Sequence, residues 1–599
     1  MPQYTDEKNA QILIALLKEY GIRKVVLSPG TTNIPFTGSV QSDPFFETYS
    51  AYDERSAAYM ACGMANESGE PVVLSCTGAT ASRNYLPGLT EAYYRKLPVL
   101  AVTSMNSTRN IGNLVEQAID RSRIQNDAAL LSVNLDPVQS NADFAYTELI
   151  VNKALSELTH HGGGPVHIQL ISDYTGTFNT KELPHVHRIM RFTHEDAWPE
   201  LDRTSKIAIM LGVEPAYKKQ QITALEKFVE VTNAVVLTSN VSGYHGKYAV
   251  QAALACQQLD VDNPVRSALS PDLIIHLGEQ SASYEIYGFL GDSAAHVWRV
   301  SPDGEFRKRF GNLDSVFETD GSTFFNHYAQ QEMTTSRSHC YFEAWKTYDE
   351  HVRDMIPDFP FSNLWIGKKM SDKIPENSVM HFGILNSARS WNNYVFHPSV
   401  ETSSNVGGFG IDGVLSTLIG ASLATPNRLH FAVIGDLAFF YDMNALGNRH
   451  LNKNVRILLV NNNVGAEFKI STHIGSQFGE QTDDFVAAGG HNIDRFSGVV
   501  QRGKPTDNPS PAQAWAESLG LRYLSATSKK EFSEVYEEFL VEGDRPVLFE
   551  CFTHSSDEDI AHEMVLHIDT THTLKGEVKQ VLKKMLPQNA INQLRRIIR

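Results

Sequence analysis

Short apolar runs alternate along this chain with longer stretches in which apolar residues return every three or four positions. The short runs predict strands buried on both faces, and the longer stretches predict amphipathic helices. Residues 11–20 read as a helix, and 24–28, 71–77, 97–103 and 164–170 read as strands of a first block, about 1–185. Runs at 206–212, 234–238, 272–278 and 296–300 repeat the pattern in a second block, about 205–350. A third block, about 360–560, holds runs at 429–434, 455–460 and 545–550. Strands that alternate with helices form mostly parallel sheets. The expected fold class is therefore α/β: three consecutive doubly wound domains, with a polar linker at 186–204. The middle block carries no Gly-x-Gly-x-x-Gly after a strand and is expected to be structural.

Bulk properties narrow the function classes. At 599 residues the chain exceeds what one core supports. A net charge of −17 argues against a general nucleic-acid binder. No apolar run approaches the roughly 20 residues that cross a bilayer. The first residues show no signal-peptide pattern, so a cytoplasmic protein without a membrane span is expected. Cysteines 62, 76, 256, 340 and 551 form no Cys-x-x-Cys pair and read as buried thiols. Residues 570–599 differ, with Lys575, Lys579, Lys583, Lys584, Arg595, Arg596 and Arg599 against the single acid Glu577. This basic tail is either a solvated helix on the subunit or an oligomer contact, or a docking arm for an acidic partner.

The chemistry concentrates in the third block. The run 429–434 ends in Gly435 and Asp436, and the run 455–460 ends in Asn461, Asn462, Asn463, Val464 and Gly465. Read as strand, helix, strand, this puts an acid and amides at the carboxyl ends of parallel strands, where open α/β sheets bind ligands. A carboxylate, an amide oxygen and a main-chain carbonyl are hard ligands suited to Mg²⁺ that also holds a phosphorylated cofactor. The plain alternatives are a helix cap at Asp436 and turn-forming asparagines at 461 and 462.

This pattern resembles the diphosphate-binding domain of the thiamine-diphosphate (ThDP) enzymes. The strings at 410–417 and 435–446 resemble one branch, the synthase of 2-succinyl-5-enolpyruvyl-6-hydroxy-3-cyclohexene-1-carboxylate (SEPHCHC) in menaquinone biosynthesis. Segments 28–30, 53–57, 77–81 and 117–119 resemble the pyrimidine-binding domain of that branch, in the same order. The resemblance implies Mg²⁺ on Asp436, Asn463 and the Gly465 carbonyl, with the diphosphate on amides around Leu437 and Ala438. Pro29, Gly30, Thr77, Gly78, Gly407 and Phe409 would complete the cofactor site. Glu54 matches the acid that hydrogen-bonds the aminopyrimidine ring, and an apolar pocket is expected to raise its pKa. Ile411 matches the apolar side chain that holds the two cofactor rings in a bent shape. The family's assembly implies a homodimer or homotetramer with active sites at the subunit interface.

Departures fall on the substrate side. Where that branch carries arginines, this chain has Thr31-Thr32, Asn106, Trp391 and Val406. Arginine forks suit carboxylates, so neutral residues at these positions imply a different substrate. Gln117 and Ser387 do match substrate-side positions, Gln117 also reading as a catalytic amide or a helix-surface one. Lys469 is a further candidate there, and Arg83, Arg121 and Arg389 are cations without a family counterpart. The expected function is decarboxylation of a 2-oxo acid donor with transfer of the acyl anion to an unknown acceptor. A simple 2-oxo acid decarboxylase, SEPHCHC synthase itself and a non-catalytic ThDP-fold scaffold stand as alternatives.

Overall fold

Three parallel sheets organise the chain in a computed structural model that describes residues 2–121, 124–173, 176–330, 340–492 and 509–569. The basic tail 570–599 lies outside the described residues. Two compact units are present: Met1–Glu195 with Gly304–Lys308 and Leu313–Val316, and the remainder of the chain.

The first unit holds strands β1 (Lys24–Leu27), β2 (Glu47–Ser50), β3 (Val72–Cys76), β4 (Val99–Met105), β5 (Leu131–Leu135) and β6 (Val166–Ile171). Their order is β2-β1-β3-β4-β6-β5, all parallel. Alternate side chains point to opposite faces of a strand, and both faces here are buried. Val25, Val73, Leu100 and Val102 join one core with the helix Lys8–Glu19, and Val26, Leu74, Val99 and Ala101 join another with the helix Glu54–Ser68. That two-sided burial explains why β3 and β4 are mostly apolar, while β6 also buries His167 and Gln169.

In the second unit the middle sheet uses β7 (Ile207–Leu211), β8 (Ala234–Thr238), β9 (Ala249–Gln251), β10 (Leu273–Leu277) and β11 (His296–Val300), ordered β9-β8-β7-β10-β11. The last sheet uses β12 (Val379–Phe382), β13 (Glu401–Ser404), β14 (His430–Gly435), β15 (Val455–Asn461), β16 (Arg522–Ala526) and β17 (Val547–Phe552). It runs β13-β12-β14-β15-β17-β16, strand for strand the topology of the first sheet. The order reverses between β12 and β14, which places a ligand-binding crevice at their carboxyl ends. Cys62, Cys76, Cys256 and Cys551 are buried as expected, whereas Cys340 is exposed at the start of a helix. No helix among the described residues is long and apolar enough to cross a membrane.

Candidate active site

At the carboxyl edge of the first sheet, Gly30 lets the turn after β1 press against the end of β3: a Cβ there would stand 2.4 Å from Thr77 Cβ. Thr32 ties the same turn down. Its Oγ1 donates to the Ser104 carbonyl at 2.9 Å, so Thr77 Oγ1, 2.5 Å away, must donate to it. The Gly78 N–H also donates to that oxygen at 3.3 Å. Thr32, expected on the substrate side, is a buried clamp between strand ends in this structure; Thr31 and Pro29 beside it are exposed. Asn106 follows β4 and buries an Oδ1 that lacks a partner among the described residues. Gln117 is exposed in a loop at φ 62°, so it is not on a helix surface.

Glu54 opens the helix Glu54–Ser68, whose cap Asp53 accepts the Arg55 N–H at 3.0 Å. It is half-buried, less enclosed within its own unit than the apolar pocket expected for it. Its charge helps to raise the pKa of the buried Cys76 and Tyr85, which locates it over the end of β3.

The second unit carries a cavity of about 140 Å³ at the carboxyl ends of β12, β14 and β15. Ser387, Ile411, Asp436, Leu437, Asn462 and Gly465 line it. Ala438 lines it as well. Asp436 is 2% exposed. Its Oδ1 accepts the Leu437 N–H at 2.7 Å, and its Oδ2 accepts the N–H groups of Asn462 at 3.0 Å and Asn463 at 2.6 Å. His491 Nε2 lies 3.1 Å from the same oxygen. Three main-chain donors thus orient this carboxylate toward the cavity, as a metal ligand needs.

The asparagines divide their work differently from the sequence expectation. Asn461 is structural: its Nδ2 donates to buried Glu550 at 2.6 Å. Asn463 adopts φ 66° and spends its Oδ1 on the Asn492 N–H at 2.8 Å. Asn462, by contrast, buries an Oδ1 with no partner among the described residues, beside Asp436 in the cavity wall. The Gly465 carbonyl accepts the Phe468 N–H at 3.1 Å. An orphaned amide oxygen next to a buried carboxylate fits a divalent cation, and the chamber at the sheet edge fits the diphosphate it would hold.

Several substrate-side and cofactor-site candidates lie outside the lining of this cavity. Trp391 is 0% exposed, stacked on Phe396 at 6.1 Å, with its indole N–H donating to Asn363 Oδ1 at 2.8 Å. It fills the core because the helix Asn386–Trp391 turns that face inward, and it is not part of the cavity wall. Lys469 pairs with Asp483 at 2.6 Å. Gly407 is exposed, its carbonyl held by Gln280 Nε2 at 2.9 Å. Phe409, at φ 55°, lines a neighbouring cavity of about 30 Å³ together with Glu285, Leu385, Arg389, Asn392 and Val406.

Sequence reasoning named Arg389 as a candidate cation but missed its partner, and it missed Glu558 altogether. Arg389 is gripped by Glu467 through two parallel bonds of 2.8 and 2.9 Å. Glu558 is buried, and desolvation raises its carboxyl to about 7 despite bonds from Thr553 Oγ1 and the Asn363 N–H at 2.9 and 3.0 Å. Neither lies in a motif, and only packing makes them special. Leu385 precedes Asn386 at φ 64°, ψ −121°, a conformation that costs a non-glycine residue roughly 1–3 kcal/mol.

The same two halves emerge from comparison with known proteins. Residues 7–125 match the thiamine pyrophosphate enzyme N-terminal TPP binding domain, and residues 390–551 match the C-terminal TPP binding domain. The chain belongs to the thiamine-pyrophosphate enzyme family, whose cofactor is ThDP with Mg²⁺ as the usual partner metal. Within it the chain is close to the SEPHCHC synthase branch. It is 30% identical to the 2-succinyl-5-enolpyruvyl-6-hydroxy-3-cyclohexene-1-carboxylate synthase of Bacteroides thetaiotaomicron, over 92% of this chain and 97% of that protein. The Phocaeicola vulgatus synthase is 29% identical over 92% and 96%. That of Desulfotalea psychrophila is 27% identical over 90% and 97%.

Proposed function

We propose that this chain decarboxylates a 2-oxo acid with ThDP and Mg²⁺ and transfers the acyl anion to an acceptor, on substrates less anionic than those of SEPHCHC synthase. One observation carries the substrate half of this. Glu285 and Glu467 line the two neighbouring cavities, and the one cation in their walls, Arg389, is already neutralised by Glu467. A second carboxylate brought into such a site meets repulsion instead of an arginine fork.

The residues take these roles. Asp436, the Gly465 carbonyl and an amide oxygen of the asparagine run would hold Mg²⁺: Asn463, as the motif implies, or Asn462, whose Oδ1 has no partner among the described residues. The amides that follow Leu437 sit at the start of a helix and would donate to phosphate oxygens. Ile411 supports the bend between the rings, and Ser387 offers a hydroxyl on the substrate side. Glu54 holds a proton against the aminopyrimidine ring. Bound ThDP would supply the acidic carbon that adds to the donor carbonyl and would hold the electron pair left behind when CO₂ departs.

Exposed Tyr52, just before the helix that Glu54 opens, and exposed Tyr59 and Met60 on that helix lie near Glu54 in sequence. Such a patch supports burial against another copy, which would enclose Glu54 and make the active unit a homodimer or homotetramer. Buried thiols support a cytoplasmic location. SEPHCHC synthesis itself is the second reading, favoured by similarity along nearly the whole chain.

A panel of 2-oxo acids, assayed for CO₂ release with and without aldehyde acceptors and isochorismate, tests these readings, with Asp436→Ala as blank. Turnover of a monocarboxylic donor with product coupling supports the first. Best turnover of 2-oxoglutarate with isochorismate replaces it with the second, and aldehyde release without coupling reduces it to a decarboxylase. Silence toward every 2-oxo acid sinks the enzyme proposal.

A further inference from the structure

The first unit contains a buried cation that no acidic side chain among the described residues is seen to pair with. Arg121 lies just beyond the loop that carries Gln117 and is 4% exposed. Its Nε, Nη1 and Nη2 are all shut off from solvent and have no hydrogen-bond partner among the described residues. They face a chamber of about 20 Å³ lined also by Ser82, Arg83, Tyr85, Thr103 and His167.

None of these neighbours is a counter-charge. His167 is buried, its Nε2 2.7 Å from Thr103 Oγ1 and its Nδ1 2.7 Å from Ser132 Oγ. Burial, with Arg121 and Arg83 adding to it, drives its pKa down to about 3, so it stays neutral. Both guanidinium groups therefore bear on the same ring. Arg83 reaches in from the surface, its Nη2 donating to the Asp120 carbonyl at 3.1 Å. Burial also pushes Arg121 down to about 10.

A guanidinium offers five N–H donors and keeps its charge, so burying it unpaired is costly. Water in the chamber would satisfy donors but leave the charge. A small acceptor-only anion satisfies both. The chamber is one water-sized pocket, which sets the size of the group that enters. It lies next to the candidate catalytic edge: Arg121 Nη2 is 3.6 Å from where a Cβ on Gly78 would stand, and Cys76 feels both Arg121 and Glu54.

We propose that Arg121, backed by Arg83, is a recognition site for one small monoanion, a halide or the carboxylate head of an organic acid. The site is independent of which donor and acceptor the enzyme uses.

The test uses the full chain loaded with ThDP and Mg²⁺, at constant ionic strength in HEPES as a bulky counter-anion. Bromide or formate is expected to raise the melting temperature by a few degrees and to saturate, as a ligand of the folded state does. Arg121→Met is expected to abolish the effect, and Arg83→Gln to shift it to about tenfold higher anion concentration. Bromide-soaked crystals should show an anomalous peak within hydrogen-bond distance of Arg121. Displacement of that peak by formate assigns a carboxylate site, and its persistence assigns a halide site. Identical melting in every anion together with no bromide peak overturns the proposal. So does a crystal in which an acidic side chain of a second copy fills the chamber. Should Arg121→Met fail to fold, the wild-type anion series and Arg83→Gln decide.

Discussion

The main-chain N–H of Asn462 donates to Asp436 Oδ2 at 3.0 Å, so two residues separated by a helix and a strand share one carboxylate. Asn462 lines the cavity, and its Oδ1 has no partner among the described residues, which makes it a candidate ligand in the proposed Mg²⁺ site. Asn462→Ala is expected to weaken Mg²⁺-dependent ThDP binding by roughly 10–100-fold. Asn463→Ala should cost less, because its oxygen serves Asn492. Calorimetric titration of both variants decides; equal losses would mean that Asn462 has no special place.

Removing the acid at position 54 separates binding from chemistry. Glu54→Gln is expected to keep ThDP affinity within a few-fold while lowering decarboxylation by roughly 10²–10⁴-fold. Circular dichroism of the bound cofactor's imino form, lost in this variant, supplies a second readout. Unchanged turnover would remove Glu54 from the mechanism.

The proposed substrate reading makes the Arg389–Glu467 pair a lock on donor choice, which can be tested by opening it. Glu467→Gln should free Arg389 to meet a second carboxylate. The ratio of kcat/KM for 2-oxoglutarate over pyruvate is expected to rise about tenfold, the scale of one charge-assisted hydrogen bond. A ratio that stays put, in a folded variant, argues that these cavities do not set donor choice.

Glu558 makes stability fall with rising pH. Burial holds its folded pKa at about 7, above the ordinary glutamate value of 4.5. Between those values the native state keeps a proton that the unfolded chain has lost, so stability drops as pH climbs and the loss is complete above about 7. The size is roughly 3 kcal/mol. Glu558→Gln keeps an acceptor for Asn363 and Thr553 but cannot ionise, so denaturant titrations from pH 5 to 8 should show a flatter slope.

Thr32→Val breaks three contacts at once, to Thr77, Ser104 and Gly78. A loss of about 1–3 kcal/mol is expected from the polar groups left buried. Thermal melting measures it, and a donor KM raised without loss of stability would instead return Thr32 to the substrate site.

Periodicity carries the architecture because strands buried on both faces are mostly apolar, even where they bury His167, Gln169, Arg456 or Glu550. That is why β3, β4, β6, β14, β15 and β17 stand out in the sequence. The edge strand β2 is exposed at every position, and β13 is exposed or half-buried along its length. Main-chain pairing alone makes them strands, so hydropathy could not reveal them. Gly435, Asp436 and the asparagine run were legible because a cofactor of fixed shape demands fixed spacing.

The sequence by itself therefore settled the α/β class, the family and the sheet edges where its chemistry sits. Tertiary structure decided which side chain at those edges points where. Trp391 went to the core, Thr32 to a clamp and Lys469 to Asp483, while Asn462 and Arg121 were left with polar atoms unsatisfied. Side-chain direction and hydrogen-bond partnership depend on contacts between distant segments. One-dimensional spacing does not contain them, whereas burial of alternating apolar residues is a local property that it does.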